Sequence, residues 1–502
     1  MTDVALQVLG AGLRAVAEEM GAVLIRSAFS ANIKERRDCS TALFDRRGRM
    51  IAQAEHIPVH LGALPGAVEA VLEREPREGA VYVLNDPFAG GSHLPDVTLV
   101  SRTALGFAVS RAHHADVGGM EPASLPAESR EIYQEGLVLP PVELTDDVLR
   151  IVLANARNPD ERRGDLRAQL AAHRLAERRI EELVERRGAD VVEAAMEELY
   201  AYSARVVRAG LARIPDGTYR AEDVLEARER ELTLRVAVTV AGDAVTIDFA
   251  GTDAQYEGNL NCPLAVTRAA SYYVVRCLTA PDVPASGGAF EPVTVLAPPG
   301  SVLNALHPAA VVAGNTETSS RVVDVVLAAF AQAVDVPAQG QGTVNNVTFG
   351  NDRFTYYETL GGGQGASAEL DGPSAVHVAM SNTLNTPVEA LELSYPLRVE
   401  RYAVRLGSGG AGAHRGGDGV VRAIRVLEAC RCSLLTERRA HPPRGAAGGE
   451  DGLCGRNLWN GEPVPPKATL QLVAGDTITV ETPGGGGYGR PATPGRSTRT
   501  PA

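Results

Sequence analysis

The chain has 502 residues, and its 49 Lys or Arg against 62 Asp or Glu give a formal net charge of −13, which argues against nucleic acid as a partner. With 44% hydrophobic and 22% charged residues it has the composition of a globular protein, not a disordered or fibrous one. At about 100–200 residues per domain the length predicts two to four domains, with no apolar stretch near the roughly 18 residues of a membrane span.

Residues 3–29 carry Leu6, Leu9, Leu13, Val16 and Met20 at three- and four-residue steps, which predicts a helix. Residues 30–65 read as irregular or strand-like, with a turn at Arg46-Arg47-Gly48, and a second helix is predicted over 65–75. Val81–Leu84 is a short apolar strand running into the turn signal Asn85-Asp86-Pro87. Val97–Ser101 and Gly106–Ala112 read as a hairpin joined by Arg102–Leu105. From Asp160 to about Arg213 the chain is predicted helical, broken at Gly188, with Asp190 and Glu193 capping the second helix. Period-two alternation of Leu232, Leu234, Val236, Val238 and Val240 predicts strands over 218–250. Helices are predicted over 264–279 and Ser320–Val334, and strands with glycine turns dominate beyond 395. The expected class is mixed α+β with a β-rich C-terminal part. The expected domains are 1–215, 216–394 and 395–490, followed by a poorly ordered tail over 491–502.

Of the basic residues only Lys34 and Lys467 are lysines. Neither sits in a phosphate-binding G-x-x-x-x-G-K-[ST] loop, and no strand lysine of the kinase type is present. Neither context reads as a buried apolar pocket, so a Schiff-base lysine is disfavoured as well. The six cysteines form no C-x-x-C, and the N-terminus lacks a secretory layout, so a cytoplasmic location is expected.

Ligand-type residues are densest between 85 and 119, in Ser92-His93-Leu94-Pro95-Asp96 and Arg111-Ala112-His113-His114-Ala115-Asp116-Val117-Gly118-Gly119. Imidazole and carboxylate together suit a divalent ion such as Zn²⁺, Mn²⁺ or Fe²⁺. His113 and His114 are adjacent, so on a strand they point to opposite faces and only one can join His93 and Asp96. Two weaker clusters are Glu35-Arg36-Arg37-Asp38-Cys39-Ser40, which reads as a charged surface loop, and Glu55-His56-Ile57-Pro58-Val59-His60-Leu61-Gly62. Gly314-Asn315-Thr316-Glu317 reads as a helix cap or an anion site at a helix start.

The runs 55–65, 92–96 and 110–119 resemble the hydantoinase B/oxoprolinase family, as do Arg157-Asn158-Pro159-Asp160, Gly314-Asn315-Thr316-Glu317-Thr318, Asn385-Thr386-Pro387-Val388-Glu389 and Thr482-Pro483-Gly484-Gly485-Gly486-Gly487-Tyr488-Gly489. The resemblance implies the metal-bearing subunit of an ATP-dependent cyclic-amide hydrolase. Its partner would be a hydantoinase A-type subunit that binds ATP and phosphorylates the substrate, in a heterotetramer or larger complex. The resemblance places the metal ligands on Asp38, His93, Asp96 and His113. Asp116 or His114 is expected as general base or orienting group, and His60 as a weaker candidate for substrate contact. The alternatives are the metal subunit of an acetone- or acetophenone-type carboxylase and a non-catalytic scaffold subunit.

Overall fold

The computed structural model describes residues 3–491 apart from His56, Leu61 and Pro284. The expected tail, past residue 491, lies outside the described residues. The class is mixed α+β, as expected.

The first sheet is antiparallel and has the order β2-β1-β5-β4-β3-β6. Its strands are β1 (Cys39–Asp45), β2 (Met50–Glu55), β3 (Val81–Leu84), β4 (Asp96–Thr103), β5 (Gly106–His113) and β6 (Val142–Glu143). The β4–β5 hairpin turns through only two residues, because pairing continues to Thr103↔Gly106. The strands are therefore longer than the apolar runs alone suggest. One face of this sheet is covered by helices Asp3–Ser27 and Pro159–Arg187, which share a core with Leu43, Ala108 and Ala112. The break at Gly188 is present, with φ +84. The next helix, Ala189–Leu211, is not capped by Asp190, because Gly188 occupies the N-cap position and no side chain bonds there. Asp190 lies in the first turn, where an acidic group is favourable to the helix dipole.

A second sheet comprises β7 (Gly217–Glu226), β8 (Glu231–Ala241), β9 (Ala244–Asp248) and β10 (Val293–Leu296). β8 alternates buried and exposed positions as its sequence predicts. Helices Leu264–Thr279 and Ser319–Phe330 pack into the same core as this sheet. That core runs from Ala42 to Leu435, so its residues come from most of the chain. Two further sheets, of four and five strands, are built from residues 346–481. Among the described residues no helix is long and apolar enough to cross a membrane.

The glycine-rich segments form a structure of their own. Along Gly484–Gly487 each N–H donates to a different neighbour: Leu453 O, Gly417 O, Gln339 O and Glu450 O. Residues three apart, Gly484 and Gly487, thus reach the same segment. A Cβ added at these glycines would meet Ser408 O at 2.0 Å, Gln364 O at 2.0 Å, Arg444 O at 2.2 Å and Ala411 O at 2.2 Å. The period is again three. This is an extended threefold helix with no internal hydrogen bonds, surrounded by other backbones. Only glycine lets carbonyls approach this closely.

Lys467 is fully enclosed. Its ammonium donates to Glu437 Oε1 at 2.6 Å, Glu226 O at 2.7 Å and Thr436 O at 3.0 Å. All three of its donors are spent on holding segments together. His173 is also buried, with Nδ1 at 2.7 Å from Ser101 Oγ and Nε2 at 2.9 Å from Ser110 Oγ. Burial pushes its pKa down to about 3.

Gly485→Ala should lower the unfolding temperature by an amount matching ~3 kcal/mol or more, from overpacking against a carbonyl that cannot retreat. Gly12→Ala, in open space on a helix, should raise stability by ~0.5–1 kcal/mol. Thermal melts of the two variants check both. For His173, the unfolded chain takes up its proton near pH 6.5 while the folded chain resists until about pH 3. Stability is therefore complete above about 6.5 and falls as pH drops, by at most about 1.4 kcal/mol per unit. His173→Gln should make the unfolding temperature less sensitive to pH between about 6.5 and about 4.

Candidate metal centre

The site is a product of strand register. Asp96 on β4 pairs with His113 on β5, and the His113 N–H donates to Asp38 O, just before β1. Directly opposed residues share a face of a sheet. Asp38, His113 and Asp96 therefore form a row across three neighbouring strands. The next row on this face is Ser40, Arg111 and Thr98, and the one after it Ala42, Val109 and Val100. The polar rows lie at the strand ends and the apolar rows continue into the core.

His93 reaches the row from the loop before β4. Asn85 anchors this loop, donating to Leu94 O at 2.8 Å and Leu137 O at 2.9 Å and accepting from Leu139 N at 2.7 Å. The loop turns at Gly90, whose φ is +90 and whose Cβ would lie 2.3 Å from Gly66 O.

Three ligand atoms converge. His93 Nε2 lies 3.1 Å from Asp96 Oδ1, His113 Nδ1 lies 3.4 Å from the same oxygen, and the two nitrogens are 3.3 Å apart. With bonds of about 2.0–2.1 Å, donors around one tetrahedral ion sit about 3.3 Å from one another. The triangle therefore has the dimensions of a single metal's coordination face. Two further details fit a cation. His93 Nδ1 faces Val312 O at 3.3 Å, which leaves Nε2 with its lone pair toward the centre. Asp96 Oδ1 is buried and has no hydrogen-bond partner among the described residues. Asp96 Oδ2, by contrast, accepts from Ser92 Oγ at 2.5 Å and has His60 Nε2 at 3.5 Å.

The electrostatics agree. Burial opposes ionisation of Asp96, but His93 and His60 outweigh it and hold the carboxyl well below the usual range. Burial works against protonating His93 too, yet Asp96 raises its pKa. His113 is lowered, chiefly by burial. The centre thus holds a buried negative charge that attracts cations.

The candidate residues separate into two places. His93, Asp96 and His113 form the group whose ligand atoms all lie within 4.8 Å of one another, among the described residues. Asp38 and His60 line the same cavity, of about 30 Å³, although Asp38 stands outside that group. His60 Nδ1 is 2.9 Å from Ser40 Oγ, so this imidazole is fixed between Ser40 and Asp96. His114 points to the other face of the sheet, with Nε2 at 3.0 Å from Gln169 Oε1 on helix Pro159–Arg187. Burial and Arg162 push its pKa down to about 4. Asp116 accepts from Gly118 N, Ala123 N and Arg157 N at 3.0–3.1 Å and from Arg157 Nη1 at 2.9 Å. It lines a different cavity, beside His114. Both residues brace the loop that follows β5. His56 lies outside the described residues.

The rest of the cavity wall comes from far along the chain. Gly314–Thr318 is a π-turn, an element that often marks functional sites, and it brings Asn315 Nδ2 to 3.5 Å from Asp96 Oδ2. Asn315 is thus a wall of this cavity and not only part of a helix start. Tyr357 stacks on His113 with ring centroids 4.7 Å apart, and the Arg36 guanidinium lies 4.6 Å from the Tyr357 centroid. Arg36, expected on a surface loop, is fully buried. It donates to Tyr357 O at 2.7 Å and to Thr359 Oγ1 at 2.7 Å. Its charge gives no such signal in the sequence. Only its alternation with Asp38 and Ser40 around β1 hints at the placement.

Similarity to known proteins extends over nearly the whole chain. The family model described as hydantoinase B/oxoprolinase matches residues 2–491. A 5-oxoprolinase of Dictyostelium discoideum is 36% identical over 516 residues, covering 98% of this chain and 40% of that protein. This chain therefore spans well under half of that relative. A Pseudomonas protein named as the B chain of a putative D-/L-hydantoinase is 32% identical, covering 97% of this chain and 90% of its own. The crystal structure of the ATP-dependent caprolactamase from Pseudomonas jessenii superposes with a TM-score of 0.91 at 30% identity, covering 98% of this chain and 91% of that one.

His93→Ala and Asp96→Asn should each lower the metal bound per purified chain by ~10-fold or more. His114→Ala should retain the metal but melt earlier, because it empties a packed position on the other face. Elemental analysis of the purified variants, alongside thermal melts, distinguishes the two classes.

Proposed function

The chain belongs to the hydantoinase B/oxoprolinase family, and from that membership we propose that it is the metal-bearing subunit of an ATP-dependent cyclic-amide hydrolase. Its partner is a hydantoinase A-type subunit that binds ATP and phosphorylates the carbonyl oxygen of the ring. The observation that carries the proposal is the small buried cavity in which His93, Asp96 and His113 converge with the spacing of one divalent ion, Zn²⁺, Mn²⁺ or Fe²⁺. Asp38 and His60 supply further polar wall. The chain designation in the name of the Pseudomonas hydantoinase relative supports a separate partner chain. The missing P-loop lysine is in keeping with ATP being bound there, and the complex is a heterotetramer or larger.

The chemistry explains why such a cavity is useful. An amide carbonyl is protected by resonance, and phosphorylating its oxygen makes the carbon a far better electrophile. A divalent ion held by His93, Asp96 and His113 would supply Lewis acidity, lowering the pKa of a water at that carbon. The chain's own residues hold the ligands in place and exclude bulk water. Val312 O fixes the His93 ring, Ser92 and His60 hold Oδ2 of Asp96, and Tyr357 covers His113. Asp116 and His114, turned away from the cavity, act through loop and sheet geometry.

Co-expression with the A-type partner should yield a complex that opens hydantoin, 5-oxoproline or caprolactam only with ATP. Activity should be lost on chelation and restored by one divalent metal. Bicarbonate-dependent growth of a ketone into a carboxylate, without turnover of any cyclic amide, would assign the carboxylase reaction instead. An inert, metal-free complex would leave the scaffold role.

A further inference from the structure

The imidazoles around Asp96 are not all held in the same way. His93 has Val312 O at 3.3 Å from its Nδ1, and His60 has Ser40 Oγ at 2.9 Å from its Nδ1. A hydrogen bond at the outer nitrogen is the usual means of fixing the ring of a metal-binding histidine. His113 turns Nδ1 toward the centre, so its neutral ring carries the proton on Nε2. That Nε2 is buried and has no hydrogen-bond partner among the described residues. Pairing with Asp96 and the bond to Asp38 O fix the His113 main chain. They do not fix the ring, because the last torsion of a histidine is broad.

Tyr357 lies against this ring, with centroids 4.7 Å apart and planes 20° apart. It belongs to β12 (Thr355–Thr359), an edge strand paired with β11 (Asn346–Gly350). Successive side chains on a strand take opposite faces. Tyr356 therefore enters the core that holds Phe349 and Leu434, while Tyr357 faces the cavity.

Tyr357 is pinned at both ends. Its carbonyl accepts from Arg36 Nη1 at 2.7 Å, and its hydroxyl lies 2.8 Å from Asn346 Oδ1. Thr348 pairs with Tyr357 and Asn346 with Thr359, which makes Asn346 a diagonal neighbour on the same face. The direction of the hydroxyl bond is fixed. Asn346 Nδ2 lies 3.0 Å from Leu435 O, and a carbonyl can only accept, so the amide nitrogen is on that side. The same nitrogen donates to Glu317 Oε1 at 2.8 Å. The amide oxygen is thereby turned to Tyr357, whose hydroxyl donates to it. The phenol cannot leave the face of His113 without giving up this bond.

We propose that Tyr357 is a positioning residue of the metal centre: its stacked ring holds the His113 imidazole with Nδ1 inward, in place of the hydrogen bond that His113 lacks. The inference rests on the metal reading above. Turning the imidazole out of the stack would drive its edge into the tyrosine face, so the packed pair resists rotation. A ring set in advance does not have to be ordered when the ion binds, and affinity gains by that difference. Tyr357 offers no atom to the ion and acts only through His113.

The test titrates Co²⁺, which suits the same nitrogen and oxygen donors, into the metal-stripped full chain. The visible absorption of the bound ion reports the arrangement of its ligands. Tyr357→Leu and Tyr357→Met, which fill the space without a ring, should each bind ~10-fold more weakly or worse, with an altered spectrum. Tyr357→Phe, which keeps the ring, should recover most of the affinity and the wild-type spectrum. Tyr356→Leu removes a similar ring one position away, from the other face of β12. It should melt earlier but bind Co²⁺ as the wild type does. Wild-type affinity and spectrum in folded Tyr357→Leu or Tyr357→Met overturn the positioning role. So does a loss of affinity in Tyr356→Leu as large as theirs. A wild-type chain that takes up no divalent ion overturns the metal reading and this inference with it.

Discussion

A carboxylate that has left water must be answered by something else, and Asp96 is that carboxylate. It is 1% exposed at the end of β4, with three imidazoles and a serine hydroxyl around it. Burying such a charge alone would cost many kcal/mol. Much of the surrounding architecture serves to keep it answered. The register of β1, β5 and β4 puts His113 beside it. The glycine turn at residue 90 and the Asn85 anchor set the path of the loop that carries His93. His60 is held by Ser40, one row below Asp38. The same arrangement that stabilises the charge leaves Oδ1 without a hydrogen bond, pointing where the two nitrogens point. The groups that let the charge be tolerated are also the ones that give the site the dimensions of a cation's coordination face.

The cavity is assembled from distant parts of the chain. Residues 38–113 supply the ligand side, and the π-turn and residues 344–383 supply the rest. Arg36 ties the two together, because it precedes β1 yet donates to Tyr357 and Thr359 of the strand Thr355–Thr359. A buried guanidinium with no carboxylate among its hydrogen-bond partners spends its donors on carbonyl and hydroxyl oxygens. The Thr359 and Thr383 hydroxyl oxygens both accept from it, which holds this wall of the cavity against the segment before β1.

The legibility of this site in the sequence follows physical lines. Periodic elements are readable: the helix broken at Gly188, the alternation in β8 and the β4–β5 hairpin all match their apolar patterns. The His93-x-x-Asp96 spacing and the His113/His114 ambiguity are readable too, since alternation on a strand allows only one of the pair to share the face. Which of the pair does so depends on register with β4, and register is not local. Arg36 and Asp38 carry charge, and charge usually stays at the surface. The burial of Arg36 depends on a contact 321 residues away, and Asp38 is marked only by family resemblance. The residues around Asn315 have the pattern of a helix cap, and Ser381 and Thr383, which line the same cavity, carry no signal at all. They lie in irregular chain, where neither period two nor period 3.6 applies.

The threefold glycine helix has a consequence for how such a chain can change length. In a strand a one-residue insertion exchanges the two faces; in this helix it rotates everything beyond it by a third of a turn. Gly484 and Gly487 would then face the wrong neighbour, and the hydrogen bonds to the Glu450–Leu453 segment would go to Gln339 or Gly417. Only insertions or deletions of three residues preserve every partner. The segment is therefore a ruler with a three-residue graduation. Among relatives, length variation within it should be quantised, while the loops outside it are free to vary one residue at a time.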